Sequence, residues 1–261
     1  MDKSIFSSTA LMCDDWQVER KLHQGTMSCI FLLHNSHVSW KLVRKSAAAS
    51  QKACWAMYRE IDLLKRLRGE GIPFLYHCGT NGSIPWYTMP YYEGETLRDR
   101  LDRSLTLSES EAVNIGRRLC RILYILHASE EQVIYGDLKP ENVLLTQNDG
   151  VMLLDYGNAW KIGEDQSGIG FRGTPGYAAP ECWHLERADE RVDIFALGVL
   201  LHQMLEGGKA EEHFGHYRMK NSAYKKRWQA LIHACTALNA KKRIRDIREV
   251  DRRLYAISAM W

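Results

Sequence analysis

The sequence predicts an α+β chain, and three observations carry that prediction. The first third alternates short apolar runs with turn residues, the pattern of strands. From Ser108 onward the apolar spacing is mostly three and four, the pattern of amphipathic helices. A tight polar loop, Tyr135 to Asn142, then runs straight into an apolar strand, Val143 to Leu145. The 261 residues suit one large domain or two small lobes with a real core.

Bulk composition excludes several classes. Apolar content of 45% and charged content of 26% are ordinary for a soluble globular protein. A net charge of +3 is too mild to call for nucleic acid or a membrane surface. The seven cysteines (Cys13, Cys29, Cys54, Cys78, Cys120, Cys182, Cys235) are scattered and form no Cys-x-x-Cys pair. Neither zinc nor a disulfide framework is suggested, and a reducing cytoplasm is the simplest home. The longest apolar run, Ile194 to Leu201, falls far short of the ~20 residues that span a bilayer. The N-terminus has one early lysine and a Ser/Thr-broken apolar stretch, which does not read as a signal peptide.

In chain order, Trp16 to Leu22 reads as a strand, Gln24 to Ser28 as a turn and Ile30 to Leu33 as a second strand. Val38 to Val43 is expected as the third, carrying Lys41. From Ala53 to Leu67 the spacing is helical, with Ala56, Tyr58, Ile61, Leu64 and Leu67 on the expected buried face and Glu60 within. Gly69 to Pro73 breaks the helix. Short strands follow near Leu75–Cys78 and Trp86–Met89, then the turn-like Pro90-Tyr91-Tyr92-Glu93-Gly94. Ser108-Glu109-Ser110-Glu111 is a capping box opening a long helix to His127, whose buried face is Ala112, Ile115, Leu119, Ile122, Leu123 and Leu126. Val151 to Leu154 is a strand ending in Asp155-Tyr156-Gly157, and Asp193 heads an apolar helix to Leu205. Lys241 to Arg253 holds seven basic residues, but Ile244, Ile247 and Val250 interleave them, as on a solvated helix face.

The chemistry concentrates in the polar loop. Asp137 offers a carboxylate, Lys139 an ammonium and Asn142 a carboxamide, with Pro140 stiffening the turn between them. Asp155 adds a second carboxylate after the next strand. Two carboxylates and an amide on loops beside adjacent strands can hold a hard cation next to a general base. Metal-assisted phosphoryl transfer has that requirement.

Asp137, Lys139 and Asn142, then Asp155 and Gly157, then Gly173-Thr174 and Ala179-Pro180-Glu181 resemble, in order, the catalytic loop, metal loop and activation segment of the eukaryotic-type (Hanks-type) Ser/Thr protein kinases. The resemblance implies a two-lobed protein kinase fold. Residues 1–89 would form a small β-rich N-lobe with one main helix, 90–93 the hinge, and 94–261 a larger, mostly helical C-lobe. It implies Asp137 as base, Lys139 as neutraliser of charge on the transferred phosphoryl, and Asn142 and Asp155 as ligands of Mg²⁺, with Mn²⁺ as a substitute. Val-Ser-Trp-Lys resembles the family's phosphate lysine motif, making Lys41 the lysine and Glu60, 19 residues on, its partner. Gly25 matches the middle residue of the glycine-rich loop, while His23 and Ser28 stand at the outer glycines. Met89 falls at the gatekeeper, and the Pro90 carbonyl and Tyr92 amide would hold the adenine edge.

Other matches set regulation and support. Lys139, two residues past the aspartate, and Thr174, bridging base and lysine, resemble Ser/Thr rather than tyrosine kinases. Glu181 would pair with Arg243, and Asp193 would anchor the catalytic loop. Tyr135 and Tyr156 replace the usual histidine and phenylalanine as packing residues. Gly136 stands where the family has the arginine that receives an activation-loop phosphate, so activity independent of phosphorylation at Ser167 or Thr174 is implied. The implied activity is transfer of the ATP γ-phosphate to a Ser/Thr hydroxyl of a protein, in the cytoplasm or after secretion into another cell, with no nucleic-acid partner and no oligomeric state specified. Two other readings stay open. A pseudokinase that binds a partner without transfer is suggested by the thinned glycine loop. A small-molecule kinase is disfavoured by Gly-Thr-Pro-Gly-Tyr, which shapes a peptide-binding ledge.

Overall fold

Period-two alternation early in the chain becomes a five-stranded antiparallel sheet. In the computed structural model, which describes residues 15–164, 170–184, 188–210, 214–220 and 225–259, the strands are β1 (Gln17–Gln24), β2 (Ser28–His34), β3 (Leu42–Ala47), β4 (His77–Asn81) and β5 (Ile84–Pro90). Their order is β1-β2-β3-β5-β4. Helix α1 (Gln51–Arg66) lies between β3 and β4 in sequence. It buries Ala53, Met57, Glu60, Ile61, Leu63 and Leu64. This set is rotated from the expected face: Tyr58 is half exposed, and Ala53 and Met57 are buried instead. The inner face includes Glu60, so apolar spacing alone does not set the phase of this helix.

The third strand also differs from expectation. The expected Val38–Val43 strand gives way to Leu42–Ala47, and Lys41 precedes it. Trp40 instead joins an aromatic cluster, 4.8 Å from the Trp16 ring and 5.7 Å from Tyr76. The β3–β5 register sets Val43 opposite Met89 and Lys45 opposite Tyr87.

The chain divides into two compact units. The first takes the residues up to Arg66 together with Pro73–Tyr92; the second takes Leu67–Ile72 and everything from Glu93. In the second unit, β6 (Gly94–Thr96) pairs with β8 (Val143–Thr146), which pairs with β9 (Val151–Leu153). A two-stranded ladder joins β7 (Val133–Ile134) to β10 (Trp160–Lys161). The α-helices among the described residues are α2 (Leu97–Ser104), α3 (Glu109–His127), α4 (Arg191–Glu206), α5 (Lys225–Cys235) and α6 (Ile247–Ser258).

Helix α3 starts where the sequence marks it. Ser108 accepts from the Glu111 amide, and Glu111 returns a bond to the Ser108 backbone. Every expected face residue of α3 is buried. Helix α4 is buried at every position from Val192 to Leu205, as a helix apolar on all sides must be. The six described cysteines are free, and no helix among the described residues is long and apolar enough to cross a membrane.

Candidate active site

In the first unit, Glu60 is 3% exposed and both its oxygens accept from Lys45 Nζ at 2.8 Å. The lysine is 5% exposed. Burial of two opposite charges is tolerable only with this bidentate geometry. The Tyr87 hydroxyl adds a 3.0 Å bond to Glu60 Oε1, placed there by its register opposite Lys45.

The expected Lys41–Glu60 pair does not form. Lys41 Nζ lies 2.6 Å from Glu19, with both side chains more than a third exposed, and holds the Glu19 carboxyl below its usual range. Two lysines lie four residues apart, and the strand that carries its lysine inward is Leu-Val-Arg-Lys, not Val-Ser-Trp-Lys. Gly25 occupies the β1–β2 turn, its amide donating to the Ser28 carbonyl at 2.9 Å. Met89 and Pro90 end β5, and the Tyr91 amide donates to the Lys41 carbonyl at 2.9 Å. Burial raises the Tyr92 phenol, which accepts from the Phe74 amide.

In the second unit, the polar loop is fixed from beneath by Asp193, which is fully buried. Its carboxylate accepts from the Tyr135 amide (2.9 Å) and the Gly136 amide (2.8 Å), and lies 2.9 Å from His127 Nε2. The Tyr135 hydroxyl donates to the Leu154 carbonyl, and the Tyr135 and Tyr156 rings meet edge to face at 5.2 Å. Pro140 then opens a 3₁₀ turn through Asn142. Its fixed φ and missing N–H suit that first position.

These constraints aim four donors at Asp137, which is 6% exposed. Thr174 Oγ1 donates to Oδ1 at 2.6 Å. Lys139 Nζ lies 3.0 Å from Oδ2 and donates to Thr174 Oγ1 at 2.8 Å, so the threonine bridges carboxylate and ammonium. Asn142 Nδ2 donates to the Asp137 carbonyl at 2.9 Å and to Oδ2 at 3.2 Å. Asn158 Nδ2 donates to the same oxygen at 3.1 Å. An Asp with an oriented, hydrogen-bonded carboxylate and an adjacent ammonium can accept a proton while stabilising charge on a transferring group.

Asn142 and Asp155, expected from the sequence as cation ligands, flank the open end of the β8–β9 hairpin. Val143 pairs with Leu153, and the Leu154 amide donates to the Asn142 carbonyl at 2.8 Å. Asp155 follows, exposed and in the left-handed region at φ 57°, with its Oδ1 accepting from the Gly157 amide at 3.1 Å. Asp is among the few non-glycine residues at home there. Both Asn142 side-chain bonds use Nδ2, which leaves Oδ1 as an oxygen donor. A carboxylate plus a carboxamide oxygen suits a hard divalent cation that takes its remaining ligands from phosphate and water.

The stretch expected as the activation segment is held by Arg243 at Glu181. Arg243 donates to its two oxygens at 2.6 and 3.2 Å, to the Arg191 and Ala237 carbonyls, and stacks 5.0 Å from the Phe195 ring. Ser167 lies outside the described residues. Sequence reasoning missed Lys45, Tyr87, Asn158, Trp160 and Arg172. Only Lys45 left a signal, since it follows Leu42-Val43 by one residue and Glu60 lies 15 residues on, within the next helix.

Residues 16–255 match the family model for the protein kinase domain. The chain belongs to that family, whose members in general use ATP and a divalent metal. It is 28% identical over 195 residues to a serine/threonine-protein kinase of Arabidopsis thaliana, PEPKR2, covering 74% of this chain and 40% of that one. It is 27% identical over 209 residues to serine/threonine-protein kinase PknB of Mycolicibacterium smegmatis (75% and 33%), and 28% over 229 residues to PknD of Chlamydia trachomatis (73% and 24%). The chain thus spans between about a quarter and two fifths of the length of these relatives.

Proposed function

We propose that this chain is a Ser/Thr protein kinase that transfers the γ-phosphate of ATP to a protein hydroxyl. The observation that carries the reading is the Lys139–Thr174–Asp137 bridge. It fixes the base and its charge partner against a segment able to present an acceptor. Asp137 orients the acceptor hydroxyl and receives its proton. Lys139 neutralises charge gathering on the transferred phosphoryl. Lys45, held by Glu60, takes the α- and β-phosphates in the role first expected of Lys41. The Pro90 carbonyl and Tyr92 amide receive the adenine edge, Met89 bounds its depth, and residues 90–93 act as the hinge. Gly25 and its turn cover the phosphates. Asn142 and Asp155 would hold Mg²⁺, for which Mn²⁺ could substitute, and the cation would supply neutralisation of phosphate charge.

The absence of an arginine at Gly136 supports activity without activation-loop phosphorylation. Thr174 supports it too, because its hydroxyl is committed to Asp137 and Lys139. The free thiols are in keeping with a reducing compartment such as the cytoplasm. Radiolabel transfer from Mg·ATP to a generic protein, followed by phosphoamino-acid analysis, tests the reading. Label on serine or threonine that disappears in Asp137→Asn and Asp155→Ala is expected. Nucleotide binding without transfer to any protein refutes it.

A further inference from the structure

A cluster of three residues beside the base is left unused by the reaction just described. Gly136 lies in the left-handed region at φ 75°, and a Cβ there would meet Trp160 Cζ3 at 2.1 Å. The indole, 2% exposed, therefore fills the space a side chain at 136 would need. The β7–β10 ladder holds the ring there, Trp160 facing Ile134. Over the ring sits the Arg172 guanidinium, 5.4 Å from its centroid, in a residue only 5% exposed. Arg172 Nη1 donates to the Asn158 carbonyl at 3.3 Å and the Ala159 carbonyl at 3.1 Å. A cation this deeply buried persists only where dipoles and a π face answer its charge.

The neighbouring backbone is equally constrained. Gly173, at φ 107°, comes so close to the catalytic loop that an added Cβ would lie 3.0 Å from the Gly136 carbonyl oxygen. The next residue is Thr174, the bridge to the base.

We propose that Arg172, seated on Trp160, is a positioning residue for phosphoryl transfer. It ties the activation segment to the carbonyls just after Asp155-Tyr156-Gly157, and so delivers the Thr174 hydroxyl to Asp137. The tether uses a cation of the segment itself and needs no phosphate. The inference rests on the kinase reading and supplies the device behind its independence from phosphorylation.

The test compares the phosphatase-treated parent chain with Arg172→Ala and, should that variant not fold, Arg172→Lys, which keeps the charge but loses the planar fork. Two readouts are taken. The first is steady-state transfer: kcat per folded molecule falls about 10- to 100-fold, the worth of one charged hydrogen-bond set, while KM for ATP stays within about twofold. The second is hydrogen exchange over residues 170–184, which speeds up about tenfold or more as the tether is lost. A folded variant of either kind with unchanged protection of that segment overturns the inference, whether or not the parent transfers phosphate. So does an unchanged kcat in a variant of an active parent. An inactive parent whose variants still lose protection counts against the kinase reading alone.

Discussion

Replacing Lys45 by methionine, with Lys41→Met as its companion, separates the two candidate phosphate lysines. Methionine keeps the length of the side chain and removes the ammonium that both Glu60 oxygens accept from at 2.8 Å. Breaking one side of a buried pair costs about 3–5 kcal/mol. A chain of this size loses about 2–4 °C of Tm per kcal/mol, so the melting temperature drops on the order of 10 °C. Lys41 offers a sharp contrast. Its partner is Glu19, and the side chains are 40% and 34% exposed. Screened pairs of that kind contribute about 0–1 kcal/mol, so Lys41→Met melts within a few degrees of the parent. Transfer separates them further: losing a charged contact to phosphate lowers kcat/KM about 10- to 100-fold in Lys45→Met, and Lys41→Met leaves it within about twofold. The assays are differential scanning fluorimetry and radiolabel transfer under the same buffer. Loss of transfer in Lys41→Met with retention in Lys45→Met would refute the reassignment.

Four other perturbations probe the second unit. Thr174→Ala removes the hydroxyl between Asp137 and Lys139 and lowers kcat about 10- to 100-fold, whereas Thr174→Ser keeps most activity; equal losses in both would count against the bridge. Glu181→Ala strands the Arg243 guanidinium, whose side chain is fully buried, and costs about 3–5 kcal/mol by denaturant titration; a change under about 1 kcal/mol contradicts it. Asn158→Ala frees Asp137 Oδ2 of one of three donors, so KM for the protein substrate falls about fivefold, the worth of one hydrogen bond, and a rise in KM argues against competition for that oxygen. Burial pushes the Cys182 and Cys235 thiols from 9.0 up to about 12, so the folded state holds these protons more tightly than the unfolded chain. Their contribution to stability is whole below pH 9 and lost as pH rises towards 12; a denaturation midpoint that stays flat from pH 9 to 11 is the refuting result.

What could be read from the chain alone was what backbone spacing dictates. Asp137, Lys139 and Asn142 fall within six residues, so one proline-stiffened turn gathers them whatever surrounds it. The Ser108 capping box is equally local and marks the start of α3. Long-range partners such as Thr174, Asp193 and Arg243 were legible only through resemblance, since no local rule links Glu181 to a residue 62 positions away. Lys41 and Lys45 lie in one strand-like stretch, and local pattern does not separate them. Lys41 follows Trp40 and Lys45 follows Leu42-Val43-Arg44, and a strand's period of two places residues four apart on the same side of the chain. The choice belongs to the β3–β5 ladder: its register sets Lys45 opposite Tyr87 and leaves Lys41 beyond the strand, next to Glu19. The phase of α1 failed for a linked reason. Apolar periodicity assumes that charge faces water, yet Glu60 faces inward because Lys45 does. The partner of Glu60 is thus Lys45 in place of the expected Lys41, and one substitution at Lys45 probes the strand and the helix together.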